Sequence, residues 1–118
     1  MSRPTHFEIL AEEPEKMAEF YKNALGWEIN TWEGPQAYWL VNTGADAPGI
    51  DGAIMGRSLN QAVINTVEVQ SLDATLEAVT TYGGKLVHGP NDIPEVGRHA
   101  YFSDPEGTIF GVLQPAKE

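Results

Sequence analysis

The chain has 118 residues, a formal charge of 7 − 17 = −10 and no cysteine. That charge repels nucleic-acid phosphate and anionic membrane surfaces, and the missing thiols exclude disulfides, thiolate metal sites and a cysteine nucleophile. The length and the 42% apolar content fit one folded domain over 1–118; no apolar run could span a membrane and no signal-peptide core opens the chain, so a soluble, cytoplasmic protein is expected.

Thr5 to Leu10 reads as a strand. Alternation puts Phe7 and Ile9 on one face and His6, Glu8 and Leu10 on the other. The apolar pair suits packing under a helix. Glu13-Pro14-Glu15 has the make-up of a helix start, with proline in the first turn and acids at the positive dipole end. Met17, Phe20, Tyr21, Ala24 and Leu25 then form an apolar stripe, and Gly26 suits the C-terminal cap. Trp27 to Trp32 alternates as a strand that Gly34-Pro35 breaks, and Gln36 to Asn42 is the next strand. Thr43 to Gly49 is a loop, Ile50 to Met55 a fourth strand, and 57–61 a polar link.

The pattern then recurs. Ala62 to Val69 is a strand with Val63, Val67 and Val69 on one face and Ile64, Thr66 and Glu68 on the other. Ser71 suits the N-cap of a helix carrying Leu72, Leu76 and Val79, which stops at Gly83-Gly84. Lys85 to His88 is a strand, with His88 at its loop edge, and Gly89 to Gly97, with two prolines, is a loop. Two strand-like runs, Ala100-Tyr101-Phe102 and 108–113, flank the turn Asp104-Pro105-Glu106-Gly107.

The order is βαβββ, repeated. Laying Tyr38 on Tyr101, Gly52 on Gly111 and Gly26 on Gly84 gives offsets of 101 − 38 = 63, 111 − 52 = 59 and 84 − 26 = 58. Offsets this close point to a duplicated unit, with module one at 1–57 and module two at 61–115.

His6-Phe7-Glu8-Ile9, Glu19-Phe20-Tyr21, Leu25-Gly26-Trp27, Gly83-Gly84-Lys85 and Asp104-Pro105-Glu106-Gly107 together resemble the glyoxalase/bleomycin-resistance/dioxygenase proteins, the vicinal oxygen chelate superfamily. The resemblance spans nearly the whole chain. It implies an α+β fold in which two βαβββ modules form a cup-shaped, incomplete barrel with helices outside and a ligand cavity inside. It also implies a homodimer. Metal-using members place four ligands at repeat-equivalent positions, which fall here on His6, near Ile64, near Gly52 and on Gly111. Only His6 is a usual ligand, and one imidazole cannot hold a divalent cation tightly. No cofactor is therefore expected, and His6 is the ligand only if a metal is present.

His6 and Glu8 share a face and are the candidate catalytic pair, able to exchange a proton near neutral pH or contact a ligand. Thr66, Tyr38, His99 and Tyr101 join them as candidate substrate-binding residues. Alternation puts His99 with Tyr101, and Tyr38 with Leu40, but leaves open whether those faces line the cup or meet the helices. Trp27, Trp32 and Trp39 suit a core or a dimer interface. No Walker loop, GxSxG, HExxH or Rossmann glycine pattern occurs. The first function expected is a small-molecule binder with a degenerate metal site. The alternatives are a lyase, isomerase or dioxygenase using His6 as base or metal ligand, and a protein-interaction module.

Overall fold

The computed structural model describes residues 1–34 and 36–117. The chain groups into two compact units, His6–Ile64, and Met1–Thr5 together with Asn65–Glu118. The first module runs β1 (Arg3–Ala11), α1 (Pro14–Leu25), β2 (Glu28–Thr31), β3 (Tyr38–Asn42) and β4 (Asp51–Gly56). The second runs β5 (Val63–Glu68), α2 (Leu72–Thr81), β6 (Lys85–Ile93), β7 (Gly97–Ser103) and β8 (Ile109–Pro115). The chain is thus an α+β fold of two βαβββ modules. In each, the first strand pairs in parallel with the fourth, and the remaining ladders are antiparallel. The strand orders are β2-β3-β4-β1 and β5-β8-β7-β6.

Local chemistry explains the helices. Pro14 opens α1, and Gly26 closes it at φ 74°, a left-handed conformation that glycine adopts without a Cβ penalty. Ser71 caps α2 by accepting from the Ala74 amide at 3.1 Å. Phe7 and Ile9 pack against Ala18, Ile54, Met17 and Tyr21 in one core. Leu72, Leu76 and Val79 pack with Ala100, Phe102 and Val112 in the other. The α1 stripe is narrower than its spacing predicts. Phe20 and Leu25 are more than half exposed, and the buried side is carried by Met17, Ala18 and Tyr21. Val63 is likewise about half exposed, while Val69 joins the α2 core.

Three further expectations are corrected. The stretch Gly89 to Gly97 is not a free loop. β6 continues through it to Ile93, with register shifts between Leu86 and His88 and between His88 and Asn91, the second spanning the cis Gly89-Pro90 bond, so irregular pairing absorbs residues that would end a regular strand. His88 therefore lies within β6, opposite Tyr101. The turn at 104–107 does form as expected, with Asp104 Oδ1 accepting from the amides of Glu106 and Thr108. The break at Gly34-Pro35 falls partly outside the described residues.

The second correction concerns repeat register. The helix N-caps differ by 71 − 13 = 58 and the glycines after the helices by 84 − 26 = 58. Glu8 pairs with Ala53 and Thr66 with Gly111, again 66 − 8 = 58 and 111 − 53 = 58. Ala53, not Gly52, is therefore the counterpart of Gly111. Gly52 lies opposite Phe7, and a Cβ there would meet the Phe7 carbonyl oxygen and, at 2.6 Å, its ring. Gly52 thus faces the helix side and opens no space on the polar face.

The third correction follows from the second. Tyr38 lies opposite Met55, and His99 opposite Leu113, where 113 − 55 = 58. Tyr38 corresponds to His99, and Leu40 to Tyr101, because the second module carries extra residues before β7. The pairing of Tyr38 with Tyr101 by sequence likeness is set aside.

Gly52→Ala should lower unfolding stability by about 1–3 kcal/mol, because the new methyl meets backbone that cannot swing away. Gly56→Ala, with nothing within 4 Å of the added carbon, is the control. Denaturant melts of both variants check this; equal, small losses would return Gly52 to an open face.

Candidate functional site

The β1 alternation that buries Phe7 and Ile9 turns His6 and Glu8 to the opposite face. Glu8 is 4% exposed, a burial that a carboxyl group tolerates only with polar partners. Tyr38, brought alongside by the β3–β4–β1 ladder, donates its hydroxyl to Glu8 Oε2 at 2.6 Å. The same hydroxyl lies 3.1 Å from His6 Nε2. Since the Tyr38 proton goes to Glu8, its oxygen lone pair accepts from His6, which places the imidazole proton on Nε2 and leaves Nδ1 as a base. The three residues form a relay running from a buried carboxyl group to a half-buried imidazole.

Burial pushes the His6 imidazole below its ordinary value, against an upward pull from Glu8 and a further one from Asp51. Asp51, which sequence reasoning missed, pairs with His6 across β1–β4. Its Oδ1 accepts from the Thr43 amide at 2.9 Å and the Thr43 hydroxyl at 3.2 Å. Its position beside Gly52, at the start of β4, was the available signal. Trp32 stands edge-on to Tyr38 with ring centroids 5.6 Å apart, so it flanks the relay rather than the core. Trp27 and Trp39 do pack in the first core.

The second module gathers Thr66, His99, Tyr101 and Gly111. His99 and Tyr101 meet edge to face with centroids 4.5 Å apart. Thr66 pairs with Gly111, which in turn lies opposite Tyr101. A Cβ on Gly111 would point between Thr66 Oγ1 and His99 Nε2. These residues share a face, which resolves the alternatives that alternation left open for β7. Tyr38 likewise shares the His6–Glu8 face. The structure thus brings His6, Glu8 and Tyr38 together in one unit and Thr66, His99 and Tyr101 together in the other.

The four positions that the resemblance gives to metal ligands carry His6, Ala53, Ile64 and Gly111. Three of these offer no donor atom. Of the nearby carboxyl groups, Glu8 accepts from Tyr38 through Oε2 and Asp51 from Thr43 through Oδ1. Among the described residues no group of three or more His, Cys, Asp or Glu side chains could hold a metal ion. The donor set does not fit a divalent cation.

Comparison with known proteins bears on the whole chain. A family model described as a glyoxalase-like domain matches residues 6–113. "Putative glyoxylase CFP32" of Mycobacterium tuberculosis is 33% identical over 114 residues, covering 94% of this chain and 43% of that protein. The chain therefore spans less than half the length of the curated relatives it matches. Among solved structures, methylmalonyl-CoA epimerase from Mycobacterium tuberculosis aligns with a TM-score of 0.72 at 15% identity, covering 97% of this chain and 88% of that one. A Streptomyces coelicolor methylmalonyl-CoA epimerase variant in complex with 2-nitronate-propionyl-CoA aligns with a TM-score of 0.71 at 15% identity, covering 98% and 96%. At that identity the likeness shows the fold.

The depressed His6 pKa makes stability depend on pH. As pH falls below about 6.5, the unfolded chain takes up the imidazole proton first, so stability falls until the lower folded-state pKa is reached. His6→Gln should flatten that decline in thermal melts between neutral and mildly acidic pH. A variant profile parallel to wild type would show that His6 is not buried as described.

Proposed function

Within the glyoxalase-like domain family, to which this chain belongs, we propose that it serves as a small-molecule-binding domain with a degenerate metal site. The ligand is held against His6, Glu8 and Tyr38 in the first module; Thr66, His99 and Tyr101 are, by themselves, the candidate ligand-binding residues of the second. The observation that carries the proposal is the relay itself. A buried carboxyl group is tied through Tyr38 to a half-buried imidazole. Apolar surroundings with a few convergent polar groups are the usual make-up of a small-molecule site. The acyl-CoA ligand in the epimerase complex makes CoA thioesters the first compounds to try.

A ligand screen by thermal shift, including methylmalonyl-CoA, followed by calorimetry, tests this. His6→Ala should weaken binding by roughly 1–3 kcal/mol, the cost of leaving a buried polar partner unsatisfied, with little change in fold. Unchanged affinity, or a ligand seated on a helix face, would refute it.

A second proposal is catalytic. A neutral imidazole oriented by a tyrosine and a carboxyl group has the arrangement of a general base, which favours a lyase or isomerase acting on an acidic C–H. His6 would take the proton and Tyr38 would hold the ring in place. Deuterium uptake next to the thioester carbonyl of methylmalonyl-CoA, lost in His6→Ala, would establish this. No uptake is expected from a binder.

Binding is proposed to be independent of a divalent metal. Elemental analysis after mild dialysis should find far less than one ion per chain; one ion per chain, lost in His6→Ala, would overturn this. We also place the domain in the cytoplasm as a homodimer. Strand β6 ends its unit's strand order and leaves Leu86 and Val87 each 41% exposed, an edge that pairing would cover. Light scattering at micromolar concentration should show a dimer.

A further inference from the structure

We propose that the cleft beside helix α2 is a second small-molecule site, one that takes an acyl chain ending in an oxygen acceptor. It shares none of the residues assigned above to ligand binding. Its inner part has a volume of about 410 Å³ and is lined by Val67, Val69, Ala74, Ala78, Phe110 and Val112, with Thr75 at its side. Val67 and Val69 stand on the α2 side of β5, the opposite face from Thr66. Val69, Phe110 and Val112 also pack in the second core. The cleft is thus an uncovered flank of that core, and its apolar wall suits a hydrocarbon chain.

The first module shows how the room arises. Ala74, Thr75 and Ala78 correspond to Lys16, Met17 and Phe20, as in 75 − 17 = 58. Met17 packs in the first core with Ile9, Ala11 and Ile54. Those three are the counterparts of Val67, Val69 and Val112, as in 67 − 9 = 58. A threonine therefore stands where that methionine stands, and two alanines replace longer side chains. The flank that α1 closes with Met17 stays open beside α2.

The mouth sets the head group. Past Val69, Ala74 and Thr75 the cleft continues into a wider opening of about 680 Å³, where Gln70, Ser71, Gln114, Lys117 and Glu68 stand. Gln114 Oε1 accepts from the Leu72 amide at 2.8 Å, which leaves its Nε2 hydrogens to give. Ser71 Oγ accepts from the Ala74 amide, so its hydroxyl proton is likewise left to donate. Lys117 adds an ammonium group that makes no ion pair among the described residues, and the Glu68 carboxylate offsets its charge. The hydrogen bonds that hold the start of α2 thus fix two donors at the end of an apolar cleft. An oxygen acceptor satisfies them, more strongly if it is charged.

Hexanoate and hexanamide carry a charged and a neutral acceptor on the same chain, and hexylammonium carries a donor instead. NMR titration of the full chain, following the methyl signals of Val67, Val69, Ala74 and Ala78, should show saturable shifts with hexanoate, hexanamide or both. Hexylammonium should bind about tenfold more weakly than the better of them. Thr75→Met places the first module's side chain in the cleft, and Gln114→Glu keeps an oxygen for the Leu72 amide while removing the donor. Each should weaken the better acyl probe about tenfold or more. If Thr75→Met fails to fold, Ala78→Leu fills the same room. No saturable shift with either acyl probe, an unchanged response in the filled or the Gln114→Glu variant, or hexylammonium binding as tightly would overturn the proposal. The polar-face site is tested separately. A CoA thioester found in this cleft would refute that site and leave the cleft standing. Affinity lost in His6→Ala, with no acyl response here, would do the reverse.

Discussion

Each module depends on a parallel ladder between its first and fourth strands. In β1–β4 and β5–β8 the partners are set by hydrogen bonds between chain segments forty-five positions apart, as in Glu8 with Ala53 and Thr66 with Gly111. Strand alternation then divides the residues between two faces. Phe7, Ile9 and Ile54 go to a helix, and His6, Glu8 and Ala53 go to the other side. The polar face is the necessary complement of the apolar one, since neither strand can turn one residue without turning all of them.

Duplication gives the two modules the same frame but not the same chemistry. The first holds a short tyrosine–carboxyl hydrogen bond that orients an imidazole. The second holds a threonine hydroxyl and an imidazole on either side of a glycine. Burial lowers the affinity of His6 for a proton while Glu8 and Asp51 raise it, with burial the larger effect. The imidazole is thereby kept as a neutral base at physiological pH, which suits hydrogen bonding to a ligand as well as proton transfer.

Membership of the glyoxalase-like family fixes the frame and leaves the chemistry to individual residues. Ala53, Ile64 and Gly111 replace side chains that could have held a cation. An overall charge of −10 adds a long-range field that repels nucleic-acid phosphate and anionic membrane surfaces.

Sequence alone determined the element types, the capped helix ends, the 104–107 turn and the division of β1 into a helix-facing and a polar side. These are local properties, set within a few residues by alternation, by Pro14, Gly26 and Ser71, and by Asp104. His6 and Glu8 were legible as a pair for that reason. Tertiary structure decided what they pair with. Tyr38 comes to Glu8 from thirty residues away, and its counterpart in the second module is His99 rather than the look-alike Tyr101. It also moved the fourth-strand position from Gly52 to Ala53, and carried β6 through the Gly89-Pro90 segment. Register was illegible because loop lengths differ between the modules and ladder hydrogen bonds do not read side-chain identity. A one-residue slip transfers a whole strand to the opposite face, and only the paired strands themselves fix which residue stands opposite which.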